Sequence, residues 1–79
     1  MERNQIAEKI KNILMSVLKH EDFEMNDELT AADVKGWDSL SHMMIITEIE
    51  DEFDIHFKLR EISKLQNVKA LIDLVQSKV

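Results

Sequence analysis

Ile6, Ile10, Ile13, Leu14, Val17 and Leu18 recur at three- and four-residue spacing near the start of the chain. Advanced by about 100° per residue they share one stripe, which predicts an amphipathic helix from about Arg3 to Lys19. His20 to Trp37 is polar, with Phe23, Met25, Leu29 and Val34 as isolated apolar residues that could pin a long surface loop to a core. Gly36 takes a positive φ at little cost, and Asp38 or Ser39 is a good N-cap for a second helix from about Ser39 to Phe53. Asp54 to Phe57 is a short connection, after which Leu59, Ile62 and Leu65 repeat every third residue, as in a short helix or one 3₁₀-like turn. Asn67 suits the N-cap of a last helix, with Val68, Leu71, Ile72 and Val75 on one face and its end near Ser77. No strand pattern is longer than Phe53, Ile55, Phe57. The expectation is an all-α, four-helix bundle with a short third helix and a long first loop, one domain over residues 1–79.

The second helix carries two apolar faces. Ile45, Ile46, Ile49 and Phe53 form a sufficient core stripe, whereas Leu40, Met43 and Met44 fall on the opposite side, continued by Thr47 and Asp51. Either the long loop folds back over these three side chains or they are presented to a partner. Methionine repacks cheaply, which suits a surface that docks with several proteins in turn.

Charge sharpens that picture. Ten Lys and Arg against sixteen Asp and Glu give a formal net charge of −6 over 79 residues. The excess is concentrated from Glu21 to Asp54, where twelve acids are opposed by Lys35 alone. Nucleic acid is a poor partner for such a segment, because phosphate binding needs a field of Lys and Arg. A partner with a basic patch is favoured. With no cysteine there is neither a disulfide nor a thiolate metal site, and an oxidising compartment is not required. The longest apolar run, Met43 to Ile46, is far short of a bilayer span, and the amino terminus lacks the order of a secretion signal. These features lead us to expect a soluble, cytoplasmic, monomeric protein.

The acidic run Glu48 to Asp54 lacks the ligand spacing and central glycine of an EF-hand, and His20, His42 and His56 lack metal-ligand spacing. Ser39 and His42 lie three positions apart, but His42 projects close to the core stripe and no third group completes a triad. Trp37 is read equally as an anchor of the loop or as a surface for a ligand or partner.

Gly36-Trp37-Asp38-Ser39-Leu40 sets a serine at a loop-to-helix junction inside the acidic half, directly before the outward apolar turn. Here the chain resembles the acyl carrier proteins. The resemblance rests on length, the four-helix pattern, the Asp-Ser-Leu triplet near mid-chain, the acidic run Glu48 to Phe53 and the closing Asn67-Val68 helix. It implies that Ser39 is esterified by a phosphopantetheinyl transferase using coenzyme A, and that acyl groups ride on the phosphopantetheine thiol as thioesters. A phosphodiester on Ser39 would lie at a helix N-terminus, where backbone N–H groups and the dipole favour an anion. Asp38 opposes that term by repulsion, so its expected role is toward the transferase and its metal.

The resemblance further implies a non-catalytic carrier that docks through Asp38, Leu40, Met43, Met44, Thr47, Glu48 and Asp51. Its expected partners are the transferase, an acyl-loading ligase or acyltransferase, and acyl-accepting or condensing enzymes with basic patches. Carriers of fatty-acid synthesis usually follow Ser-Leu with an acid and place another a turn later, where this chain has Ser41 and Met44. They often open the third helix with proline, where this chain has Lys58. These departures look more like a free-standing carrier of polysaccharide or specialised-metabolite acylation. The alternatives are an aminoacyl or peptidyl carrier, an unmodified acidic helical adaptor and, from a third class, an autonomous hydrolase.

Overall fold

The computed structural model describes residues 2–79, and its regular elements follow the apolar spacing closely. They are α1 (Arg3–Leu18), α2 (Ser39–Phe53), α3 (Leu59–Ile62) and α4 (Val68–Lys78), with a 3₁₀ turn at Ala31–Asp33; no strand occurs among the described residues. The described residues are therefore all-α, with four α-helices. Lys19, expected inside the first helix, is instead its left-handed C-cap, and α4 runs one residue past Ser77.

One cluster of buried side chains ties the elements together. Ile6, Ile10, Ile13 and Leu14 of α1 meet Ile45, Ile46 and Ile49 of α2 and Val68, Leu71, Ile72 and Val75 of α4. α1 packs against both α2 and α4. Each fully buried Ile, Leu or Val contributes roughly 1.5–3 kcal/mol relative to an exposed one, so this cluster dominates the favourable side of folding. Leu29, Val34 and Trp37 from the long loop are also buried, and Phe23 and Met25 are partly so.

The loop is more structured than its polar sequence suggests. Thr30 and Asp33 bracket the 3₁₀ turn, with Asp33 Oδ2 accepting from the Thr30 backbone N–H and hydroxyl. The Leu29 carbonyl accepts from Val68 N at 2.8 Å and the Asp27 carbonyl accepts from Lys69 N at 3.0 Å. The loop thus satisfies N–H groups that the start of α4 leaves without helical acceptors. His20 clasps the loop's far end, accepting from Asp22 N through Nδ1 and contacting the Lys35 carbonyl through Nε2 at 2.6 Å. With Nδ1 an acceptor, Nε2 carries the proton and donates.

The third helix is as short as expected and buries only one side. Ile62 and Leu65 pack on the core, but Leu59 is 80% exposed. A single helical turn has only one inward side, and Lys58 N donating to Glu61 Oε1 at 2.7 Å fixes which side that is. Phe57, assigned only to a connection, is buried, and Glu50 Oε2 accepts from its N–H at 2.9 Å.

Candidate functional site

Gly36, Trp37 and Asp38 turn the chain from the loop into α2. Gly36 has φ +86°, and a Cβ there would meet only Leu18 Cδ2 at 3.9 Å, so the backbone angle and not crowding selects glycine. Asp38 is the N-cap: its Oδ1 accepts from Ser41 N at 2.9 Å, while Ser41 Oγ accepts from Asp38 N at 2.8 Å. This is a reciprocal capping box, with serine in the place where glutamate is common. The Ser41 backbone N–H, the leading cause, and the Ser41 side chain beside it hold the Asp38 carboxyl below the usual carboxylate range, so it is charged at neutral pH.

The two serines of the motif are thereby distinguished. Ser41 is half-buried and its hydroxyl also donates to the Gly36 carbonyl at 2.8 Å. Ser39, the first residue of α2, is exposed, and its hydroxyl has no hydrogen-bond partner among the described residues. A reagent can approach that oxygen without breaking the cap.

Trp37 is buried and anchors the loop. Its indole Nε1 donates to His42 Nδ1 at 3.0 Å, and the two rings stack with centroids 6.1 Å apart and planes inclined by 24°. Because an indole N–H can only donate, His42 Nδ1 must be unprotonated. Burial holds the His42 imidazole below its ordinary value, in agreement with a neutral ring whose Nε2 bears the hydrogen. A general base for Ser39 would need a free acceptor nitrogen, and in this arrangement neither nitrogen supplies one.

The outward face of α2 is open. Leu40 is 75%, Met43 47% and Met44 50% exposed, so the loop does not fold back over them. Thr47, Glu48 and Asp51 are exposed below them, with the Thr47 hydroxyl donating to the Met43 carbonyl at 3.0 Å. Lys9 pairs with Glu52 at 3.0 Å, whereas Glu48 and Asp51 have no basic partner within ion-pair distance among the described residues. Leu59 adds a further exposed apolar side chain outside α2. No three His, Asp or Glu side chains gather as a metal site among the described residues. No helix of the described residues is long and apolar enough to cross a membrane.

A phosphate ester fits this junction. The exposed Ser39 oxygen stands at the positive end of the α2 dipole, and the neighbouring Asp38 charge partly offsets that attraction.

Comparison with known proteins bears on the same segment. The family described as "Phosphopantetheine attachment site" matches residues 8–75. The chain is 33% identical over 73 residues to an acyl carrier protein of Buchnera aphidicola subsp. Acyrthosiphon pisum (strain 5A), an alignment covering 92% of this chain and 91% of the relative. It is also similar to the solution NMR structure of holo acyl carrier protein from Geobacter metallireducens, with a TM-score of 0.85 and 37% identity over 92% of this chain and 84% of the other. The all-helical fold, the phosphopantetheine-attachment match and both relatives agree: this chain belongs to the acyl carrier protein family and is a carrier whose cofactor is covalently attached phosphopantetheine.

Proposed function

We propose that Ser39 is the attachment residue and that the face around it is read by the enzymes that modify, load and unload the carrier. The observation that supports this most directly is the contrast within the motif: Ser39 is exposed and unengaged, while Ser41 is committed to the α2 cap. When bound, the phosphopantetheine group supplies a thiol that holds acyl groups as thioesters. The chain itself holds the Ser39 oxygen at a fixed helix start, accessible to a transferase that takes the serine proton. Catalysis resides in the partners, because the nearest imidazole is committed to Trp37.

Docking is assigned to Leu40, Met43, Met44 and Thr47 as the apolar part of the face, with Asp38, Glu48 and Asp51 supplying charge. The cognate enzymes are a phosphopantetheinyl transferase, an acyl-loading ligase or acyltransferase, and acyl-accepting or condensing enzymes with basic patches. The carrier works as a monomer in the cytoplasm, in fatty-acid-like, polysaccharide-acylation or specialised-metabolite biosynthesis. Ser41 and Met44 favour the latter two, because they make the recognition face less acidic than is usual in carriers of fatty-acid synthesis.

The test is incubation with a broad-specificity phosphopantetheinyl transferase and coenzyme A, read by intact mass. The wild type is expected to gain one phosphopantetheine and Ser39→Ala none. No gain by the wild type, or a gain that persists in Ser39→Ala, contradicts the assignment.

A further inference from the structure

The segment Lys58 to Lys64 has the opposite charge from the helix before it. Lys58, Arg60 and Lys64 are exposed, and none has an acid within ion-pair distance among the described residues. Glu61, the only acid in the segment, is already committed: it accepts from Lys58 N at 2.7 Å and pairs with Lys78 of α4 at 3.1 Å. Advanced by about 100° per residue, Leu59, Arg60, Ser63 and Lys64 fall on the side opposite Ile62 and Leu65, which pack on the core. The outward side of α3 is thus an exposed leucine flanked by unpaired cations.

This surface adjoins the outward face of α2. Phe57 N donates to Glu50 Oε2, which seats the start of α3 against α2. Glu50 follows Met43 by seven residues, about two helical turns, so both lie on the same flank of α2. Glu48 and Asp51 are exposed on that helix without basic partners among the described residues, so two neighbouring surfaces of opposite sign result. A uniformly basic partner would gain against α2 and lose against α3. A purely anionic surface, such as a nucleic acid or an acidic membrane, would meet a chain of net charge −6. A protein surface with cations opposite α2 and carboxylates opposite α3 gains at both. It also fixes how the carrier is turned on its partner, because rotation about the contact brings like charges together.

Resting on the outward face of α2 as a docking surface, we infer that α3 is a second recognition element, read by an acidic patch on the same acyl-handling enzyme. Arg60 and Lys64 face its carboxylates, and Leu59 enters an apolar seat between them.

The test is photocrosslinking of the full chain in its native host, with a photoreactive benzoylphenylalanine in place of Leu59 or, separately, of Met44. Both positions are expected to label the same enzyme, and the peptide labelled from position 59 is expected to contain Asp or Glu. Arg60→Glu combined with Lys64→Glu is expected to cut the yield from position 59 by roughly three- to tenfold, the scale of two exposed ion pairs lost. Changing the labelled enzyme's acids to lysine is expected to restore it. Labelling from position 44 without labelling from position 59 overturns the role of α3 while leaving the docking reading of α2 intact, and silence at both positions overturns that reading as well. Position 59 labelling only lipid or a second copy of this chain, a labelled peptide without acids, or a yield unmoved by the charge reversal also overturns the inference. If circular dichroism shows that the reversed variant does not fold, Arg60→Gln with Lys64→Gln takes its place, and a yield equal to that of the unsubstituted pair overturns the inference. Intact mass of the same preparations reports Ser39 modification separately.

Discussion

At Ser39 and its neighbours, a few hydrogen bonds divide side chains of the same chemical kind into structural and available groups. Ser41 is half-buried with its hydroxyl engaged in the cap, whereas Ser39 is exposed with its hydroxyl unengaged. Ser39→Ala should therefore leave thermal stability within about 0.5 kcal/mol of the wild type, the usual range for an exposed site. Differential scanning calorimetry on the unmodified proteins checks this. His42 carries a pH dependence. Its folded-state value lies below the ordinary 6.5, so between those two values the unfolded chain binds more protons than the folded one. Its stabilising contribution is present above the ordinary histidine value and is lost as pH falls below it. Comparing unfolding midpoints at pH 7.5 and 5.5, the wild type should lose more stability than His42→Gln; equal losses would remove His42 as the cause. Asp38 and Glu61, held low chiefly by backbone N–H groups, act in the same direction at more acidic pH, below the ordinary carboxylate range.

The helices are where the sequence was most informative, and their ends show why it was not fully so. The stripes Ile6 to Leu14, Ile45 to Ile49 and Val68 to Val75 were readable because burial imposes helical spacing on apolar residues. Asn67 was identified as an N-cap from its type alone, and its Oδ1 accepts from Ala70 N at 2.9 Å. Asn67→Ala should cost about 1 kcal/mol in denaturant unfolding. Lys19 could not be assigned as a cap because lysine has no particular preference for its φ of +62°. For the same reason Lys19→Gly should stabilise by about 0.5–1 kcal/mol and raise Tm by several degrees. The 3₁₀ turn and the loop's bonds to α4 escaped notice because backbone carbonyls carry no sequence signature. The exposure of Leu59 was not legible, because three apolar residues at equal spacing do not say which of them a single helical turn buries.

Considered as one body, the chain is a packed core that holds an uncovered face of α2 next to an accessible serine. The Asp-Ser-Leu motif and the two-sided α2 were legible because each residue's type and helical position carry the meaning. The Trp37–His42 pairing was not, since a contact between a loop residue and a helix residue requires the fold to bring them together. Met44→Glu should leave the unfolding midpoint nearly unchanged, as the side chain is half exposed, yet alter the rate of modification or loading by partner enzymes. A collapse in stability would mean that the face is part of the core. Ile49→Ala, by contrast, removes a fully buried side chain and should cost about 2–5 kcal/mol.

Everything rests on which oxygen bears the cofactor, and the structure offers two hydroxyls within one helical turn. Fragmentation mass spectrometry of the modified peptide spanning Gly36 to Met43 decides between them. The account predicts that phosphopantetheine is found on Ser39 in every modified molecule and that Ser41→Ala is still modified. Cofactor located on Ser41, or on any residue other than Ser39, would contradict it.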